Sequence, residues 1–232
     1  MRALAALALA LLPAPALAQA WQCRVPRDVP VPAMPRADGP VSQARITGYS
    51  LALSWSPEFC RTRQRDPAHR LQCSGEAGRF GFILHGLWPE DAREAPQWCP
   101  ARRAPDAGTV RRNLCMTPSP DLIIHEWAKH GSCITASPDG YFAAGRALYV
   151  SIAFPDMARL SRQPQLTAGT VRDAFVRLNP SLSRRMVRLK LSDSGWVQEV
   201  QLCYGRDFMP RACPPGRGGP DDRVPVKIWR GL

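Results

Sequence analysis

The chain has 232 residues, with 31 lysines and arginines against 19 aspartates and glutamates, and a formal net charge of +12. That length suits one domain with a sizeable core, and the charge favours a polyanionic partner such as nucleic acid, anionic lipid or acidic polysaccharide. Eight cysteines with no C-x-x-C pair argue against a zinc ribbon or thioredoxin-type motif and for an exported, disulfide-bonded protein.

Met1-Arg2 precedes an apolar run from Ala3 to Leu12, and small residues follow at Ala16-Leu17-Ala18 and Ala18-Gln19-Ala20. This pattern predicts a signal peptide over residues 1–20, cut after Ala18 or Ala20, and a periplasmic or extracellular product. Residues 21–232 are then expected to form a single domain. No later segment approaches transmembrane length, so no membrane partner is expected.

Trp21 to Pro40 is proline-rich and carries Cys23, which predicts an extended arm pinned by a disulfide. Ile46 to Trp55 is rich in strand formers and predicts a core strand ended by Ser56-Pro57. Phe59 to Arg79 is polar and basic and predicts a surface loop with Cys60, Cys73 and a solvated His69. A second strand, Arg79 to Leu84, runs into His85-Gly86-Leu87-Trp88-Pro89, where glycine and proline predict a turn. Glu90 to Asn113 reads as irregular. Its pairs Arg102-Arg103 and Arg111-Arg112 suit phosphate contacts or, more simply, a solvated loop.

The densest chemistry lies in His125-Glu126-Trp127-Ala128-Lys129-His130-Gly131-Ser132-Cys133, which holds two of the chain's four histidines. Pro120 and Asp121 predict a helix start and Gly131 its stop. At about 100° per residue, Glu126 and His130 share one face and His125 and Lys129 an adjacent one. The same spacing also occurs on a solvated helix face with ordinary ion pairs. Helices are predicted over Tyr141 to Phe154 and Gln165 to Leu178, the second entered through Thr170. Met186 to Leu191 and Trp196 to Cys203 alternate at period two around Ser192 to Gly195, which predicts a hairpin. Val224 to Trp229 suggests a last strand. The mixture is α+β: a central antiparallel sheet with packed helices, stabilised by disulfides.

Two segments, Phe82-Ile83-Leu84-His85-Gly86-Leu87-Trp88-Pro89 and His125 to Cys133, closely resemble the two signature segments of the ribonuclease T2 family. Leu53-Ser54-Trp55-Ser56-Pro57 and the Gln201-Leu202-Cys203 and Ala212-Cys213-Pro214 pair are also similar. The resemblance runs from Ile46 to Pro214. It implies a secreted, metal-independent endoribonuclease with the family's α+β fold, RNA as substrate, no cofactor, and a monomeric state. Transphosphorylation by the ribose 2′-hydroxyl needs a base, an acid and positive charge at the phosphorane. The resemblance implies His130 as base, His85 as acid, Glu126 and Lys129 as transition-state stabilisers and His125 as a phosphate ligand. The product is a 2′,3′-cyclic phosphate, then a 3′-phosphate. Trp88 matches a base-stacking position. Glu90 falls where some members carry an aspartate, so base preference stays open. The family pattern also implies disulfides Cys99–Cys133 and Cys203–Cys213, with Cys60–Cys73 and, by remainder, Cys23–Cys115.

Two other readings compete. A metal-dependent phosphodiesterase would take His85, Glu126 and His130 as ligands, but the zinc-helix motif needs histidines four apart, whereas His125 and His130 are five apart. A catalytically silent RNA-binding protein would keep the fold, yet every charged and imidazole position of both motifs is present.

Overall fold

The computed structural model describes residues 23–101, 103–216 and 218–231. The predicted signal peptide and Arg102 lie outside the described residues. Four antiparallel strands form one sheet in the order β2-β1-β4-β3: β1 Gly48–Trp55, β2 Phe82–Glu90, β3 Val187–Leu191 and β4 Val197–Tyr204. Helices follow between strands: α1 Ser56–Cys60, α2 Arg70–Cys73, α3 Ala107–Asn113, α4 Pro120–Glu126, α5 Ser132–Ile134, α6 Pro138–Val150, α7 Met157–Leu160 and α8 Ala168–Leu178.

Period-two alternation gives the sheet two unlike faces. Leu51, Leu53, Leu84, Leu87, Val187, Leu189, Val200 and Leu202 are buried in one cluster with Phe142, Phe154 and Phe175. Phe82 anchors it, its ring 5.5 Å from those of Phe154 and Phe175. The opposite face is mostly polar, apart from Ile83, which is buried with Ala77 and Phe80. Ser54, Glu199 and Lys190 form one cross-strand row, and Ala52, Gln201 and Arg188 the next.

The boundaries differ from the sequence reading where tertiary context decides. His85 to Pro89 is strand rather than turn. β2 lies at the sheet edge, where proline's missing N–H is tolerated. Ser56-Pro57 ends β1 by starting α1, whose proline sits in the first turn. Asp106 accepts from the Thr109 amide and starts α3 inside the segment read as irregular. Val224 to Trp229 makes only isolated bridges, at Pro225 and Lys227, and no strand. α6 begins at Pro138 under a Ser137 cap and ends at Val150. α8 is capped by Thr167, with Thr170 closing a reciprocal capping box. The hairpin turn places Gly195 at φ 82°, a left-handed position that favours glycine.

The disulfides are Cys23–Cys115, Cys60–Cys73, Cys99–Cys133 and Cys203–Cys213. The first ties the N-terminal arm to the segment after α3, and Arg111 holds the same arm through the Pro26 and Arg27 carbonyls. Arg112 pairs with Asp139, so both arginines of that pair are occupied in structure.

At the C-terminal end, Arg172 of α8 is only 5% exposed. It donates to the carbonyls of Val187, Gly218 and Pro220 and to Asp222. Arg172→Ala is expected to cost about 3 kcal/mol, the scale for removing one partner of a buried charge network. A denaturant midpoint unchanged from the native chain would contradict this.

Candidate active site

The site is built where the polar face of the sheet meets α4. Ser119 accepts from the Leu122 amide and Pro120 occupies the first turn, so the helix begins where proline and aspartate predict. Its end differs. Trp127–Gly131 continues as a π-helical turn into α5, and Gly131 does not stop the chain. The glycine is needed for space: a Cβ there would lie 2.6 Å from the Trp127 ring and 2.8 Å from Tyr141. Wide turns of this kind re-aim side chains within a helix and gather at functional sites.

His85 is positioned by a bulge. Ala52 pairs with Gly86 and Leu53 with Leu84, so His85 is the extra residue on its strand. Its Nδ1 lies 2.7 Å from the Glu199 carboxylate and 3.1 Å from Ser54 Oγ, and Ser54 also donates to Glu199. Its Nε2 lies 3.4 Å from Glu126. Burial works against the imidazolium and Lys190 opposes it, but the Glu199 hydrogen bond and the charges of Glu126 and Glu199 prevail. The His85 pKa is therefore raised. Glu199 is held low, because His85, Gln201 and Lys190 outweigh its burial.

Glu126 is 2% exposed and accepts from Trp88 Nε1 at 2.7 Å. Burial, the dominant cause, pushes its pKa up to about 7, against the His85 charge and the Trp88 hydrogen bond. His130 presents the opposite case. Burial, then the charges of Lys129, His125 and His85, lower its pKa to about 3. Its Nδ1 is buried without a hydrogen-bond partner among the described residues.

Two indoles organise these groups. Trp88 packs against both imidazoles, its ring centroid 5.1 Å from His85 and 5.4 Å from His130. Trp98 serves the other pair: His125 packs edge-on at 5.5 Å and the Lys129 ammonium lies 5.5 Å over its face. Lys129 also pairs with Asp38 of the N-terminal arm at 3.1 Å. The His125 pKa is lowered, by burial first and by Lys129 second.

Glu90 shares the face of Trp88, but its buried carboxylate accepts from Ser50 and lies beside Arg188, which also donates to Gln201. The sequence reading missed Ser54, Glu199 and Trp98. Trp98 has φ 57°, rare for a large side chain. It is fixed by the hydrogen bond its backbone N–H donates to the Lys129 carbonyl and by the adjacent Cys99–Cys133 bridge. Among the described residues no three His, Cys, Asp or Glu side chains converge as metal donors.

The model of the Ribonuclease T2 family matches residues 47–162, which contain both histidine segments and all of this site except Asp38, Lys190, Glu199 and their neighbours on β3 and β4. The chain belongs to the ribonuclease T2 family. A probable ribonuclease of Haemophilus influenzae is 30% identical over 187 residues, 75% of this chain and 64% of the relative. A ribonuclease of Aeromonas hydrophila is 45% identical over 85 residues, 37% of this chain and 36% of that one. The matched segments thus span less than two thirds of either relative's length. The fold is that of solved T2-like structures. An RNase-related protein from Calystegia sepium superposes with a TM-score of 0.62 at 20% identity, over 81% of this chain and all of the other. RNase NT, solved with 5′-AMP, gives 0.62 at 17% identity, over 80% and 98%.

Within this T2 scaffold, Gly86 leaves room for the central carboxylate. A Cβ at Gly86 would lie 2.0 Å from Glu126 Oε2 and 2.7 Å from Trp88 Nε1. Gly86→Ala must displace Glu126, and about a tenfold loss in kcat with a retained fold is expected, since small misplacements of reacting groups are costly. Unchanged turnover would show that Glu126 need not sit where it does.

Proposed function

We propose that the protein is an endoribonuclease that cleaves single-stranded RNA by attack of the ribose 2′-hydroxyl, with low base specificity. The observation that carries this reading is that both imidazoles pack against the Trp88 ring, with the His85 pKa raised by Glu199 and Glu126 against its burial and the His130 pKa lowered by burial to about 3. His130, kept neutral, accepts the 2′-hydroxyl proton as that oxygen attacks phosphorus. His85, its pKa raised and its Nδ1 held by Glu199, gives its Nε2 proton to the departing 5′-oxygen. Glu126, near neutrality at pH 7, donates to a non-bridging oxygen in its protonated form. Lys129 adds charge at the phosphorane and His125 contacts the phosphate. The indole of Trp88 offers a stacking face to a base. Hydrolysis of the 2′,3′-cyclic phosphate reverses the two histidine roles, with water as nucleophile, and leaves a 3′-phosphate. Four disulfides fit an oxidising compartment, and no helix among the described residues is long and apolar enough to cross a membrane.

The test is a digest of RNA homopolymers in excess EDTA with identification of the new ends. Cyclic phosphate followed by 3′-phosphate ends is expected, and an oligonucleotide without 2′-hydroxyls should stay intact. Cutting of that oligonucleotide, or loss of activity in EDTA, would overturn the reading.

A further inference from the structure

On the polar face of the sheet, beside His85, a cleft of about 370 Å³ lies between the segment leaving α1 and the β3–β4 pair. Phe59, Arg61, Arg63, Lys190, Gln198 and His85 are among its lining residues. The volume falls within the range of small-ligand pockets. Of its carboxylates, Glu199 is held by His85 and Gln201, and Glu58 gives one oxygen to Arg61 at 3.2 Å while its other is buried without a hydrogen-bond partner among the described residues. Two cations remain. Arg63 lies 4.4 Å over the Phe59 ring and donates to the Phe59 carbonyl, with no carboxylate partner among the described residues. Lys190 makes no ion pair within 4 Å among the described residues, although its charge supports Glu199 across the β3–β4 pair, and that charge works against protonation of His85. A bound anion between Arg63 and Lys190 removes that conflict.

We infer that this cleft binds the phosphate that follows the leaving nucleoside in an RNA chain. The inference rests on the ribonuclease reading, because His85 as leaving-group acid sets the side by which the departing strand runs. That strand starts at the 5′-oxygen beside His85 and enters the cleft, so its next phosphate meets Arg63 and Lys190. Phe59 holds the Arg63 guanidinium in advance, which lowers the ordering needed on binding.

The test is a calorimetric titration of the full chain with a 2′-deoxydinucleotide, with and without a terminal 3′-phosphate. Neither ligand has an internal 2′-hydroxyl, so binding is read apart from cleavage. The terminal phosphate should tighten binding about tenfold, as for a charge-assisted contact. In Arg63→Ala/Lys190→Ala the ratio should fall to about one, and in Lys190→Glu alone it should fall well below the native ratio. Equal affinity of the two ligands for the native chain overturns the inference, as does a ratio that survives both variants. Parallel cleavage of the matching ribodinucleotide tests the ribonuclease reading separately: no cleavage would sink that reading whatever the phosphate ratio.

Discussion

His130→Ala and His85→Ala should each lower kcat/KM on single-stranded RNA by about a thousandfold, the scale of a lost general base or acid. The two variants should differ in every other respect. His130 Nδ1 is buried without a partner among the described residues, so its removal leaves no orphan and its cost to stability should be limited to lost packing against Trp88. His85 is the cationic partner of Glu199, itself 3% exposed, and its loss should cost about 3 kcal/mol. The roles separate by leaving group. A nucleoside 3′-phosphate carrying a nitrophenyl ester departs without protonation, so His85→Ala should recover most of its deficit on that substrate. His130→Ala should not, because the 2′-hydroxyl still needs its base. Equal deficits on both substrates in both variants would dissolve the acid–base assignment and leave the imidazoles as phosphate ligands.

The two histidine segments could be read from the chain because their residue types are rare and their order is long. The pairing across α4 and the π turn that follows it matches the helical spacing: Glu126 and His130 meet Trp88, and His125 and Lys129 meet Trp98. The π turn was hidden, since glycine at 131 is an ordinary stop signal and only packing against Trp127 and Tyr141 explains it. β2 was truncated for a similar reason. Gly86 and Pro89 read as turn residues until the sheet order shows an edge strand and the register shows a bulge. Glu199 was invisible in principle. It sits at a polar position of an alternating strand, where a carboxylate normally means solvent. Only the cross-strand row with Ser54 places it behind His85, and that register joins residues far apart in the chain.

Glu199 therefore invites the second large prediction, as a positioning residue that sets the charge of His85. On the proposed acid–base assignment, free-enzyme kcat/KM requires neutral His130 and protonated His85. With His130 held near pKa 3, the acid limb lies well below pH 6. With the His85 pKa raised, the basic limb lies above 6.5, where loss of the Glu126 proton near 7 also contributes. Glu199→Gln removes the negative charge beside Nδ1 and keeps a side chain of the same shape. The imidazolium loses its strongest support, its pKa falls, and the basic limb moves to lower pH. Activity at pH 7.5 should drop by about tenfold to a hundredfold, since each unit of pKa is a factor of ten. At pH 5 it should drop only a few-fold. Ser54→Ala, which removes hydrogen bonds to His85 and Glu199 but leaves the carboxylate's charge in place, should shift the limb less. A merely structural role predicts something else: a uniform loss at every pH, or a lowered melting temperature with the limb in place. Direct titration of the His85 ring by NMR decides between them, because the shift must appear in the resonance of that one imidazole and in no other.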